Sequence, residues 1–179
     1  MEYKFGEFET AVEINELAKN LLAEGDLDSI RLLAKENGIP GDYAEYFISG
    51  DILGICDVTS TAIGKLDLEA DELQAEGIMI DWVDYIKTQC MESNEIARAV
   101  KTKKKSLKDC IGKLLKWGFE HQKSVDEEII KAAGVNAGRV TFGMPGMAEA
   151  KKIIRSYYLD KTPDKVQEAS AEKQKKSRK

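Results

Sequence analysis

Apolar residues return at spacings of three and four along most of this 179-residue chain, and the pattern stops at Leu159. That spacing is the period of a helix with one buried face, not the alternation of a half-buried strand. Only three prolines interrupt it, and proline is the residue a helix interior tolerates least. The chain is therefore expected to be an all-α protein of about seven to nine helices, with room for two subdomains. Hydrophobic residues make up 42%, enough for a real core, and charged residues 33%, enough to solvate its surface.

Helix starts are marked by capping chemistry. Thr10 and Glu13 have capping-box spacing, in which each side chain satisfies the other residue's free backbone N–H. Ile14, Leu17, Ala18, Leu21 and Leu22 then form one stripe, closed by Gly25 as a left-handed cap. Asp26 caps a second helix carrying Leu27, Ile30, Leu33 and Ala34, which Asn37-Gly38 ends. A third covers Asp42–Ser49, with Tyr43, Tyr46 and Phe47 expected to face inward and Gly50 to stop it. From Ile52 to about Leu73 the pattern weakens: Ile55, Thr59, Ala62, Ile63 and Leu66 fit a helix, against which the β-branched pair Val58-Thr59 counts. Ile80, Val83, Tyr85, Ile86 and Cys90 mark a further helix after Gly77, with Trp82 beside them.

Asn94 opens a short helix to about Val100. The run Lys101–Lys105 is lysine-rich and self-repelling, so it is expected to be an exposed linker. Ser106 with Asp109 starts a strong helix with the stripe Leu107, Cys110, Ile111, Leu114, Leu115 and Phe119. Ser124 and Glu127 repeat the capping-box spacing, and the helix they start ends at Gly134. Four glycines between 134 and 146 predict a loop, with a short strand at Arg139–Phe142. Pro145 suits the first turn of a last helix. Its inner face is Met147, Ala150, Ile153, Ile154, Tyr157 and Tyr158. Residues 161–179 hold 7 bases, 3 acids and almost nothing apolar, so they are expected to form a disordered basic tail.

The net charge of −5 hides an asymmetry. Residues 1–93 hold 21 Asp+Glu against 6 Lys+Arg, a balance of −15; residues 94–179 hold 11 against 21, or +10. Three regions follow: an acidic helical region 1–93, a basic helical region 94–160 and the tail 161–179. Such asymmetry points to a charged partner.

Several function classes are excluded on residue content. No apolar run reaches the roughly 18–20 residues of a membrane span, and the acidic start lacks the apolar core of a secretory signal. Cys56, Cys90 and Cys110 are odd in number and far apart, which predicts free thiols and a reducing, cytoplasmic home. A single histidine, His121, falls at a helix end and is too little for the usual zinc sites or for a nucleophile–histidine pairing. Neither of the common glycine-rich phosphate motifs occurs, although Gly143-Met144-Pro145-Gly146 precedes a helix N-terminus. No enzyme, metal or cofactor is expected.

What remains is macromolecular binding. Spaced carboxylates on helices imitate the phosphates of a nucleic acid and suit the basic groove of a nucleic-acid enzyme. Asp71, Glu72, Asp81 and Asp84 are the candidates on the acidic side. On the basic side Lys103, Lys104, Lys105, Lys108, Lys113 and Lys116 could neutralise phosphates without reading sequence.

The stretch Lys104-Lys105-Ser106-Leu107-Lys108-Asp109-Cys110-Ile111-Gly112-Lys113-Leu114-Leu115 resembles the core of PcfK-like proteins, small proteins of conjugative and other mobile elements. Ser124-Val125-Asp126-Glu127-Glu128-Ile129-Ile130 and the pair Tyr157-Tyr158 follow in the order that family has, so the core resemblance covers residues 100–160. A branch of the family consists of anti-CRISPR proteins, which inhibit the RNA-guided nuclease of type II systems. Phe8-Glu9-Thr10-Ala11 and Leu33-Ala34-Lys35-Glu36-Asn37-Gly38-Ile39 are similar to members of that branch. The resemblance implies a phage or mobile-element protein, cytoplasmic in a bacterial host, that binds the type II effector nuclease and blocks cleavage of target DNA. It implies no particular site residues. The alternative is a nucleic-acid-binding accessory protein of conjugation or replication, acting through the basic cluster and tail.

Overall fold

A computed structural model describes residues 4–160, so the expected basic tail lies outside the described residues. The chain is all-α apart from one two-stranded sheet, with nine helices among the described residues. It divides into two compact units between Lys108 and Asp109. This packing boundary differs from the charge boundary at 93/94. The lysine-rich stretch through Lys108 belongs to the acidic unit, which holds a net charge of −10 over residues 1–108.

The first unit starts with α1 (Ala11–Glu24), α2 (Leu27–Glu36) and α3 (Gly41–Ser49). The Thr10/Glu13 capping box forms as expected, and Gly25 closes α1 at φ 76°. Asp26 accepts from the Ser29 N–H to start α2. The stripes of these helices meet in one core of Ile14, Ala18, Leu21, Ile30, Leu33, Ala34, Ile39, Ala44, Phe47 and Ile55. Tyr43 and Tyr46 do not join it: they stand about half exposed at 48% and 52%. α3 has nine residues and packs on α2, so Ala44 and Phe47 use up its buried side.

The second half of this unit is α4 (Val58–Glu72), α5 (Ile78–Glu92) and α6 (Asn94–Lys101), which pack on one another. The β-branched start of α4 is offset by a capping box between Asp57 and Ser60, with the Asp57 carboxylate 2.7 Å from the Ser60 N–H. α5 buries Trp82, Val83, Ile86, Gln89 and Cys90, while Ile80 in its first turn stays partly exposed. The two helical groups meet where backbone crosses backbone. A Cβ on Gly64 would collide with the Asn37 carbonyl, and one on Gly38 with the carbonyl of Gly64. Gly38 also holds φ at 64°, which L side chains rarely adopt. Asn15 ties the Cys56 backbone from both sides, through its Nδ2 and Oδ1.

The second unit contains α7 (Leu107–Glu120) beyond Lys108, β1 (Lys123–Ser124), α8 (Glu127–Ala132), β2 (Thr141–Phe142) and α9 (Met147–Leu159). β1 and β2 are antiparallel, with Lys123 opposite Phe142 and Ser124 opposite Thr141. The expected strand therefore exists, and its partner strand includes Ser124, whose spacing to Glu127 predicts a helix start instead. Ser124 lies in β1, and Asp126 caps α8 by accepting from the Glu128 N–H. Pro145 is buried ahead of α9, whose N-cap is Gly146. Buried residues here are few: Cys110, Leu114, Ala150, Ile154, Tyr157 and Tyr158 form the apolar centre. Leu115, Phe119 and Met147, expected to face inward, are exposed. Gly118 and Gly143 approach so closely that a Cβ on either meets the other's carbonyl. That contact seats the glycine loop against α7.

Candidate functional site

The buried side of α4 carries a lysine among its apolar residues. Lys65 follows Thr61 and Ala62 at helical spacing and precedes Leu66, so the period that builds the core also turns this cation inward. Its Nζ donates to the Thr102 and Lys105 carbonyls, each at 2.9 Å. It also pairs with Glu7 at 3.2 Å and Glu69 at 3.8 Å. Four acceptors from three parts of the chain thus surround one buried cation, which meets the condition under which a buried charge is tolerable.

A second lysine is buried alongside. Lys101, the last residue of α6, continues the stripe Ile96, Ala97 and Val100 and is only 4% exposed. The linker expected at 101–105 is thus not free. Lys101 is packed, Lys65 holds the carbonyls of Thr102 and Lys105, and the Leu107 N–H donates to Glu69 at 2.8 Å. The reason is that a helix stripe outranks local charge repulsion when a carboxylate and two carbonyls are in reach.

These residues line a cavity of about 220 Å³ together with Gly6, Glu7, Glu36, Asn37, Leu68 and Glu72. The segment before α1 runs along it. The Glu36 carboxylate accepts from the backbone N–H groups of Lys4 at 2.7 Å and Phe5 at 3.1 Å. Burial pushes the Glu69 carboxyl above the usual range, only partly offset by the Leu107 N–H and Lys65. Burial, with Lys65 nearby, pushes the Lys101 ammonium below its usual value. Burial also raises the thiols of Cys56 and Cys90 to about 12, so both are poor nucleophiles. Among the described residues no group of three or more His, Cys, Asp or Glu is placed to hold a metal ion.

The acidic candidates fall on one stretch of the surface-exposed chain. Asp71 and Glu72 are in the last turn of α4, and Asp81 and Asp84 in the first half of α5; all four are exposed. Between Lys65 and Lys87 there are seven acids and no base. Of these, Asp67 pairs with Lys87, and Glu69 with Lys65. Glu69, Asp71 and Glu72 occupy the C-terminal end of a helix, where the backbone dipole is negative and cations are preferred. Elsewhere in residues 4–93, every acid but Glu36 is also exposed.

The basic candidates are spread more widely. Lys103 and Lys104 are exposed beside the buried lysines, and Lys105 is half-buried with its carbonyl bound to Lys65. Lys108, Lys113 and Lys116 are exposed on α7. Lys113 lies 5.7 Å from the centre of the Tyr157 ring, and Lys116 pairs with Glu120 at 3.7 Å. His121 donates through Nδ1–H to the Trp117 carbonyl at 2.8 Å and stacks on that indole at 4.1 Å. It has no nucleophile beside it in these contacts.

Comparison with protein-family models, with curated proteins and with solved structures finds no match to this chain. No helix of the described residues is long and apolar enough to cross a membrane.

Proposed function

We propose that this chain is an inhibitory binding protein that engages a type II CRISPR effector nuclease and blocks cleavage of target DNA. The reading rests on the resemblance to the anti-CRISPR branch of PcfK-like proteins. One observation supplies its physics: the exposed acids Asp71, Glu72, Glu76, Asp81 and Asp84, in a stretch that contains no base. Two of them sit at the unfavourable end of a helix dipole, so a cationic partner gains on contact what the free protein forgoes. The effector's channel for the guide heteroduplex is positively charged and reads backbone charge, not sequence. Carboxylates at helical spacing are competitors for such a channel, and their long-range field speeds encounter. Exposed apolar anchors are present on the same unit, in Tyr43, Tyr46 and Leu53, the last 89% exposed. Interfaces draw most of their energy from such side chains.

The deciding experiment is a cleavage assay with purified nuclease, guide RNA and target duplex. Cleavage should fall as the protein is titrated in, and inhibition should weaken as salt rises. Undiminished cleavage at a large excess removes the reading.

The second reading, a nucleic-acid-binding accessory protein, is favoured by the exposure of Lys103, Lys104, Lys108, Lys113 and Lys116. Charge counts weigh against it. Residues 109–160 contain 8 bases and 7 acids, close to neutral. The basic excess lies in 94–108, inside an acidic unit, and in 161–179. A gel shift at low salt tests this reading: retained DNA supports it and free DNA excludes it.

A further inference from the structure

Lys65 and Lys101 are both buried, but they are not equivalent. Lys65 has four acceptors. Among the described residues, the Lys101 ammonium has one hydrogen bond, to Asn37 Oδ1, at the long distance of 3.5 Å. Asn37 is itself buried and donates its Nδ2 to the Leu33 carbonyl at 3.0 Å. A methionine would fill the Lys101 position without the cost of desolvating a charge. The Lys101 side chain instead helps line a cavity of about 220 Å³. One water needs about 10–15 Å³ of cavity, so the space takes a small organic molecule.

An amine that is desolvated and set next to a second cation is the arrangement that makes a lysine nucleophilic at neutral pH. We propose that Lys101 is a covalent capture site for small aldehydes, whose carbonyl carbon it attacks inside the cavity shared with Lys65 and Glu69. The neutral Nζ forms a C–N bond to the aldehyde carbon, and the carbonyl π pair moves to oxygen. The resulting hydroxyl leaves as water after protonation, and nitrogen loses its second hydrogen. Amine and aldehyde thus give imine and water, with no oxidant or reductant. Glu69 is on the same wall, paired with Lys65 at 3.8 Å, and its carboxylate can take the proton that nitrogen loses, while the leaving hydroxyl is protonated from solvent. The titratable groups facing Lys101 are Lys65, which favours the neutral amine, and Glu7, Glu69 and the Cys56 thiol, which oppose it. Burial outweighs those three, and the net direction is downward.

The test uses the folded, full-length chain with salicylaldehyde and cyanoborohydride at pH 7, which reduces each imine to a stable amine. Peptide mass spectrometry then gives a labelling rate for every lysine. Lys101 should be labelled at least tenfold faster than the exposed Lys104 and Lys116, and its advantage should vanish in concentrated urea. Equal or slower labelling of Lys101 in the native chain overturns the proposal, as does an advantage that persists in urea. The Lys101→Met variant should lose the near-ultraviolet absorbance of the imine while keeping the helical circular dichroism. Unchanged imine absorbance in that folded variant also overturns it. The wild-type labelling rates decide the question even if the variant does not fold.

Discussion

Ile30 and Ile129 have almost the same local setting and opposite fates. Each follows an aspartate N-cap within one turn of a helix start, Asp26 for α2 and Asp126 for α8. Ile30 is fully buried and Ile129 is 62% exposed. The difference lies in what surrounds the helix. α2 has ten residues and is packed by α1 on one side and α3 on the other. α8 has six residues and buries none of them. Capping and propensity decide that a helix forms; burial is decided by neighbours far along the chain. The same contrast recurs between α1–α3, whose stripes close on one core from Ile14 to Ile55, and the second unit, where Cys110, Leu114, Ala150, Ile154, Tyr157 and Tyr158 are buried while Phe119, Ile129, Val135 and Phe142 stay exposed.

The contrast is sharpest at its centre. Ile30→Ala should lose about 4 kcal/mol of unfolding free energy, because a cavity opens in a packed core, and urea denaturation reads this directly. A loss under about 1 kcal/mol would mean that the core relaxes around the gap. Lys65→Met should cost about 3 kcal/mol, since it strips the counter-charge from Glu69 and frees two carbonyls. If stability rises instead, the lysine cluster is kept for chemistry and not for folding. Thr10→Ala removes the hydroxyl that accepts from the Glu13 N–H at 3.2 Å, and should cost about 1 kcal/mol.

A smaller effect concerns pH. The Glu69 carboxyl is raised in the folded state, so the folded chain holds that proton where the unfolded chain has released it. Its contribution to stability is complete below the ordinary value of 4.5 and is lost as pH climbs through the raised folded value. Glu69→Gln keeps an acceptor for Leu107 and should remove that part of the pH slope in denaturation curves. Smallest of all, Ile129→Ala should change stability by less than about 0.5 kcal/mol. A larger loss there would show that α8 is covered by a partner in solution.

Much of the helical order was legible because it is written locally. The Thr10/Glu13 box, the Gly25 cap, the Asp26 cap and the Asn94 start all report themselves within four residues. The helix that Ile55, Thr59, Ala62, Ile63 and Leu66 predict does form, the Asp57/Ser60 box offsetting the β-branched Val58-Thr59 at its start. The misreadings share a cause. Ser124 looked like a cap, and pairing with Thr141 drew it into a strand. Charge alone makes Lys101–Lys105 a free linker, but the stripe Ile96, Ala97, Val100, Lys101 turns its first residue inward. That stripe, and Thr61, Ala62, Lys65, Leu66 on α4, were readable signals of two inward lysines. Glu69 stands four residues from Lys65 on the same helix and was readable too, but Glu7 was not, since three whole helices and the first half of α4 separate it from Lys65.

The two tryptophans divide themselves between the units. Trp82 is sealed in α5, and Trp117 lies on α7 beneath the His121 ring. Each unit therefore carries its own optical reporter, one indole shielded from solvent and the other stacked on an imidazole. Replacing either with phenylalanine leaves a chain whose emission follows one unit alone. Whether the halves melt together or in sequence can then be seen with no added dye.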